Sequence, residues 1–183
     1  MKLDRNNAAL VVVDVQERLM PVIHDADLVA QNLDRLVRGC HILGIPTILT
    51  EQYVKGLGAT IPSLRATFGE TYGYQPIEKM TFSAMGADSF AAQLGALNRK
   101  QVLIAGVESH VCVYQTVRDL VAAGFAVTLI ADAMSSRTPA NKEIGVKRML
   151  ADGATLSSTE LALFELLVTS GTDEFRAISK LVK

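Results

Sequence analysis

Four runs of apolar, largely β-branched residues punctuate the chain: AALVVVD (8–14), IPTILTE (45–51), QVLIAGV (101–107) and FAVTLIAD (125–132). None alternates apolar with polar positions, which is the pattern of a strand buried on both faces. Between them the apolar period changes to three and four. Val29, Leu33, Leu36, Val37 and Cys40 form one helical stripe, capped by Asp25 or Asp27. Val113, Val117, Leu120 and Val121 form another, which Gly124 closes. Residues 139–153 open on Pro139 and end on Gly153, the asymmetry of a helix, and the short strand ATLSS (154–158) follows. Ser157 and Glu160 have the spacing of a capping box ahead of a last helix in LALFELLVT.

Strand and helix in alternation predict an α/β fold. The expected architecture is three-layered and doubly wound, a mainly parallel sheet of about six strands with helices on both faces. At 183 residues, with no repeat, low-complexity tract or linker, the chain is expected to form one domain, 1–183. One stretch resists the scheme. Residues 52–75 carry Gly56, Gly58, Gly69, Gly73, three tyrosines and Pro62 with weak periodicity, which predicts a long loop over a site or a subunit contact.

Composition then narrows the function. Eighteen Lys and Arg against 19 Asp and Glu give a net charge of −1, so no broad basic surface for nucleic acid is expected and a small-molecule substrate is the better expectation. The apolar run near the N-terminus, Ala8 to Val13, is far too short for a membrane span. Two cysteines, Cys40 and Cys112, make neither a disulfide framework nor a C-x-x-C pair, which fits a reducing compartment and a cytoplasmic protein.

Ligands of open parallel sheets bind beyond the carboxyl ends of the strands. Asp14 ends the first apolar run, Lys79 ends a short strand candidate in QPIEK (75–79), and Cys112 follows the run ending at Val107. A carboxylate, an ammonium and a thiol can converge there. In the first turn of a helix, beside a lysine, Cys112 is expected to gain thiolate character, and Asp14 can carry its proton to a leaving amine. Taken singly each has a plainer role: Asp14 as a cap or turn residue, Lys79 as a solvated loop lysine. Cys40, on an apolar helix face, is read as core.

With those residues in view, five segments taken in order, VVVDVQ (11–16), LTEQYVKGLGAT (49–60), EKMTFS (78–83), GVESHVCV (106–113) and DAMSSR (132–137), resemble the isochorismatase-like cysteine hydrolase superfamily over nearly the whole chain. The resemblance is closest to its small isochorismatase-domain subgroup. It implies a catalytic triad of Asp14, Lys79 and Cys112, a cis peptide between Val107 and Glu108, and an oxyanion hole made by the amides of Glu108 and Cys112. It further implies C–N bond hydrolysis through a thioester, because relatives acting on the isochorismate vinyl ether lack this cysteine. The histidines that bind metal in nicotinamidase relatives have no counterpart, since no histidine lies between His41 and His110. No cofactor and no metal are therefore expected.

Gln16 and Gln52 can offer amide groups to a carbamoyl substrate, and Tyr53 and Phe82 can wall a pocket. Glu108 and His110 are read as structural. Ser135, Ser136 and Arg137 are read as ordering a loop. A homo-oligomer, at least a dimer, is expected. A catalytically silent or regulatory protein that keeps the fold for assembly or ligand binding is the alternative. A dinucleotide enzyme is disfavoured because no G-x-G-x-x-G occurs.

Overall fold

The computed structural model describes residues 2–183. Six strands, β1 (Ala8–Val13), β2 (Thr47–Gln52), β3 (Ile77–Lys79), β4 (Gln101–Val107), β5 (Ala126–Ser135) and β6 (Thr155–Ser157), form one sheet in the order β3-β2-β1-β4-β5-β6. Every pairing is parallel. The chain builds outward from β1 to one edge, then returns to β4 beside β1 and builds to the other edge. The reversal makes a crevice at the carboxyl ends of β1 and β4, where open α/β sheets place their ligands.

Strand side chains alternate between two apolar cores. Leu10, Val12, Leu103, Ala105 and Val107 face one, with residues of α1 (Ala26–Ile42), α3 (Pro62–Thr71), α7 (Thr159–Leu167) and α8 (Asp173–Val182). Val11, Val13, Val102 and Ile104 face the other, with residues of α4 (Asp88–Ala96), α5 (Tyr114–Ala122) and α6 (Pro139–Ala151). All of β1 and β4 is buried, as unbroken apolar runs require of central parallel strands. The three-layer architecture expected from the pattern is the one observed. Among the described residues no helix is long and apolar enough to cross a membrane.

The stretch 52–75 is not a long loop. It contains a single turn, α2 (Val54–Leu57), and the ten-residue α3. Pro62 sits in the first turn of α3, where its missing N–H loses nothing, and Leu64, Thr67 and Phe68 bury one face of a helix too short to show a clear period. The capping box also falls elsewhere. Ser158, not Ser157, accepts the Leu161 N–H and opens α7, leaving Ser157 inside β6. Helices α4 and α8, absent from the sequence reading, complete the layers; Thr172 caps α8 by accepting the Phe175 N–H.

Candidate active site

Asp14 is the first residue after β1 and takes a left-handed conformation, φ 53°. Aspartate tolerates that region better than most residues, and such outliers concentrate at functional sites. Its carboxylate is wholly buried and held on both oxygens: the Thr50 hydroxyl donates to Oδ1 at 2.7 Å and Lys79 Nζ to Oδ2 at 2.6 Å. Lys79 ends β3 at the edge of the sheet. Its ammonium also donates to Gln52 Oε1 at 2.7 Å and to the Phe82 and Thr81 carbonyls at 3.0 and 3.3 Å. Both side chains of the ion pair are fully removed from solvent. A pair so placed is held by its additional hydrogen bonds as much as by Coulomb attraction, and losing either partner strands a charge.

From the other half of the sheet, β4 ends at Val107, the Val107–Glu108 peptide is cis, and a single π turn, Ser109–Val113, carries Cys112 into α5. β4 reaches this turn by passing very close to β1. A Cβ on Gly106, φ 111°, would meet the Val13 carbonyl oxygen at 2.2 Å, so no other residue fits there. Several groups fix the turn. The Glu108 carbonyl accepts from the amides of Val111 and Val113, and the Glu108 carboxylate accepts from Arg137 Nε at 3.0 Å. The Ser109 hydroxyl donates to the Ser135 carbonyl at 3.0 Å, and His110 Nδ1 and the Ser136 hydroxyl lie 3.0 Å apart. On its outer side α6 lies so near that a Cβ on Gly145 would meet the Ser109 carbonyl oxygen at 2.8 Å.

Cys112 is buried, 7% exposed, and shares its surroundings with the ion pair. Its thiol is pushed up to about 12, first by burial and then by the negative charge and hydrogen bonding of Asp14, with Glu108 adding to it; the Lys79 ammonium pulls the other way and is outweighed. The expectation of a resting thiolate is therefore corrected. Helix-start position and a nearby lysine are not enough when a carboxylate stands closer in effect than the ammonium does. The resting group is a thiol beside a carboxylate able to take its proton.

The remaining sequence candidates divide. Gln16 and Gln52 lie at the site but commit their amides to the chain: Gln16 Nε2 donates to the carbonyls of Gln52 and Gly58, its Oε1 accepts the Gln52 N–H, and Gln52 Nε2 donates to the Met80 carbonyl. They bind the loop after β1 to β2 and β3 rather than facing a ligand. Tyr53, φ 38°, and Phe82 stand at the rim, 47% and 53% exposed, beside Met80 at 72%. A cavity of about 280 Å³ lined by Tyr53, Val54, Lys79 and Met80 opens there. A larger groove, about 840 Å³ along Met20, Pro21, Leu28 and Ile61, includes none of the three. Among the described residues no cluster of three or more His, Cys, Asp or Glu is placed to hold a metal.

Sequence reasoning missed three contributors. Thr50 holds Asp14; Thr116 donates to the Cys112 carbonyl at 2.7 Å and accepts the Ala84 N–H at 2.9 Å, tying the Cys112 turn to the segment after Lys79. Gly145 lets α6 close on the same turn. Only Thr116 left a trace, as a polar residue four positions after Cys112 on an otherwise buried helix face.

Comparison with known proteins places this arrangement in context. The isochorismatase domain family matches residues 8–161. Isochorismatase domain-containing protein 2 of Danio rerio is 36% identical over 99% of this chain and 89% of its own length. The structure described as the MAR1 ribonuclease of Caenorhabditis elegans superposes with a TM-score of 0.91 at 34% identity, covering 100% of this chain and 92% of that one. The YcaC gene product of Escherichia coli, described as an octameric hydrolase of unknown specificity, superposes with a TM-score of 0.90 at 26% identity, covering 99% and 90%.

Proposed function

Since the chain belongs to the isochorismatase domain family, we propose that it is a metal-independent cysteine hydrolase that cleaves a C–N bond of a small amide, carbamoyl or ureido substrate. One observation carries this reading: a neutral, buried thiol at Cys112 faces a buried carboxylate, Asp14, whose other contacts come from Thr50 and Lys79.

The reaction follows from that geometry. Asp14 takes the Cys112 proton as the sulfur–carbon bond forms, so the thiolate never needs to persist. The negative charge that develops on the carbonyl oxygen is met by the backbone amides of Glu108 and Cys112, donors of a kind worth about 3–4 kcal/mol each. Asp14 then passes its proton to the nitrogen as the C–N bond breaks, and ammonia or an amine leaves. Water, deprotonated by Asp14, attacks the thioester; the acid departs and the proton returns to sulfur. Lys79, donating to Oδ2, orients Asp14 through these transfers.

The name of the C. elegans relative raises RNA as a second substrate class. Burial argues for a small molecule instead: Asp14 is 0%, Lys79 3% and Cys112 7% exposed, and the chain carries a net charge of −1 rather than a basic surface. The two free cysteines suit a reducing compartment, the cytoplasm. The octameric relative and the exposed rim of Tyr53, Met80 and Phe82 support a homo-oligomer of at least two chains. Mass measurement in solution tests that, and a monomer removes it. The catalytic reading is tested by incubating the protein with a panel of amides and ureido acids and following ammonia. Release by the native protein and none by Cys112→Ala supports it; release that survives Cys112→Ala removes Cys112 as the nucleophile, and no release from any member favours the silent, regulatory alternative.

A further inference from the structure

Three buried side-chain oxygens lack a hydrogen-bond partner among the described residues: Thr47 Oγ1, Ser83 Oγ and Asp152 Oδ2. An unpaired buried polar group is destabilising by about 1–3 kcal/mol and calls for an explanation. Thr47 opens β2, and Asp152 leads from α6 into β6, so both lie at the amino ends of strands, away from the reactive groups. Ser83 is the exception. It lies four residues beyond the carboxyl end of β3, buried to the same 7% as Cys112.

Its position is fixed from both sides. The preceding carbonyl, of Phe82, accepts from Lys79 Nζ at 3.0 Å. The following amide, of Ala84, donates to Thr116 Oγ1, which donates to the Cys112 carbonyl. The Ser83 carbonyl accepts from the Thr81 hydroxyl at 2.9 Å and the Gly86 amide at 3.2 Å. The backbone of Ser83 is thus wedged between the lysine and Cys112 while its hydroxyl makes no hydrogen bond among the described residues. The other polar side chains nearby are engaged. Lys79 donates to Asp14, Gln52 and Phe82, and both glutamine amides are bound within the chain.

We propose that Ser83 is a substrate-positioning residue whose hydroxyl accepts an N–H of the scissile amide or carbamoyl nitrogen. This rests on the amide-hydrolase reading above, and it gives that site a means of preferring amides to carbonyl compounds lacking an N–H. A hydroxyl accepts as well as donates, and the nitrogen is the one reacting group for which the triad and the oxyanion amides provide no acceptor in the ground state.

The test needs no known substrate. Alkylation of Cys112 is timed with acrylamide and with methyl vinyl ketone, which replaces the amide NH2 by a methyl group. In each, sulfur bonds to the terminal carbon and the thiol proton ends on the adjacent one. Ser83→Ala is expected to slow acrylamide about fivefold, the strength of one neutral hydrogen bond, leave methyl vinyl ketone within about twofold, and hold or raise the melting temperature. Ser83→Thr is expected to restore the acrylamide rate. Equal slowing of both reagents, or of neither, overturns the inference while leaving the nucleophile intact. If Cys112 of the native protein reacts with neither reagent, the amide-hydrolase reading falls and this inference falls with it.

Discussion

Cys40 and Cys112 titrate alike and are built for different ends. Both thiols are pushed up to about 12. For Cys40 burial is the whole cause: it lies in α1 at 0% exposure in the apolar core. For Cys112 burial is joined by a carboxylate on one side and opposed by an ammonium on the other. A lost proton has nowhere to go at Cys40, whereas at Cys112 the acceptor is already in place. In this fold a raised thiol pKa therefore does not by itself separate the core cysteine from the one proposed as nucleophile. The neighbouring carboxylate does.

The sharpest way to break the comparison is to remove each sulfur in turn. Cys112→Ala is expected to lower any amide turnover on the order of 10⁴-fold or more, and Cys40→Ala to leave it within about twofold, measured as ammonia release by the two variants side by side. Equal losses would return both cysteines to the core. Removing the base alone comes next. Asp14→Asn keeps the thiol but leaves Lys79 buried without its counter-charge, so turnover is expected to fall about 10²–10⁴-fold and stability by about 3–5 kcal/mol in urea denaturation. A companion Asp14→Asn/Lys79→Met variant should recover part of the stability and none of the turnover, because the stranded charge is gone and the base still missing.

A smaller effect is expected from Gly145→Ala, whose Cβ would press on the turn carrying Cys112 and nowhere near Cys40. Stability should drop by about 1–3 kcal/mol, with turnover falling further than the stability change explains. The last effect is in pH dependence. Both folded thiols hold their protons above the ordinary value of 9.0. Between pH 9 and about 12 the folded chain keeps protons that the unfolded chain has lost, so the contribution of each thiol is present below pH 9 and fades as pH rises toward 12. Either alanine variant should flatten that decline by at most ~1.4 kcal/mol per pH unit, read from unfolding midpoints across the range. A decline as steep as in the native protein would show that the thiol replaced does not titrate as described.

Much of this was legible in the sequence because buried parallel strands read as unbroken apolar runs. The run 101–107 coincides with β4 to the residue. β5 extends to Ser135, past the end expected at Asp132, because that carboxylate accepts from the amide and hydroxyl of Thr159 and so sits comfortably inside a strand. The helices of 54–71 were hidden by their glycines and shortness, and α8, which buries only Ile178 fully, by its thin apolar stripe. Asp14 stood out as a polar group ending such a run, Lys79 as the end of a short strand candidate, and Cys112 as a thiol in the turn after the run that ends at Val107. Thr50 did not, since its meaning lies in a contact 36 residues away in the chain. The glutamines misled for a related reason: an amide side chain satisfies a loop carbonyl as readily as a ligand, and only three-dimensional placement distinguishes the two.

The strand order has a consequence for how the molecule can be divided. Asp14 and Lys79 come from the half of the chain that builds β1 to β3, and Cys112 from the half that builds β4 to β6, with the seam running along the β1–β4 ladder. Cleavage in the exposed turn after α4 would separate the Asp14–Lys79 pair from Cys112 without cutting a strand. The two fragments would then bring the three side chains together again only by re-forming that ladder and the packing of α1 against β5, α7 and α8 that crosses the same seam, which makes the fold a natural scaffold for a split reporter of association.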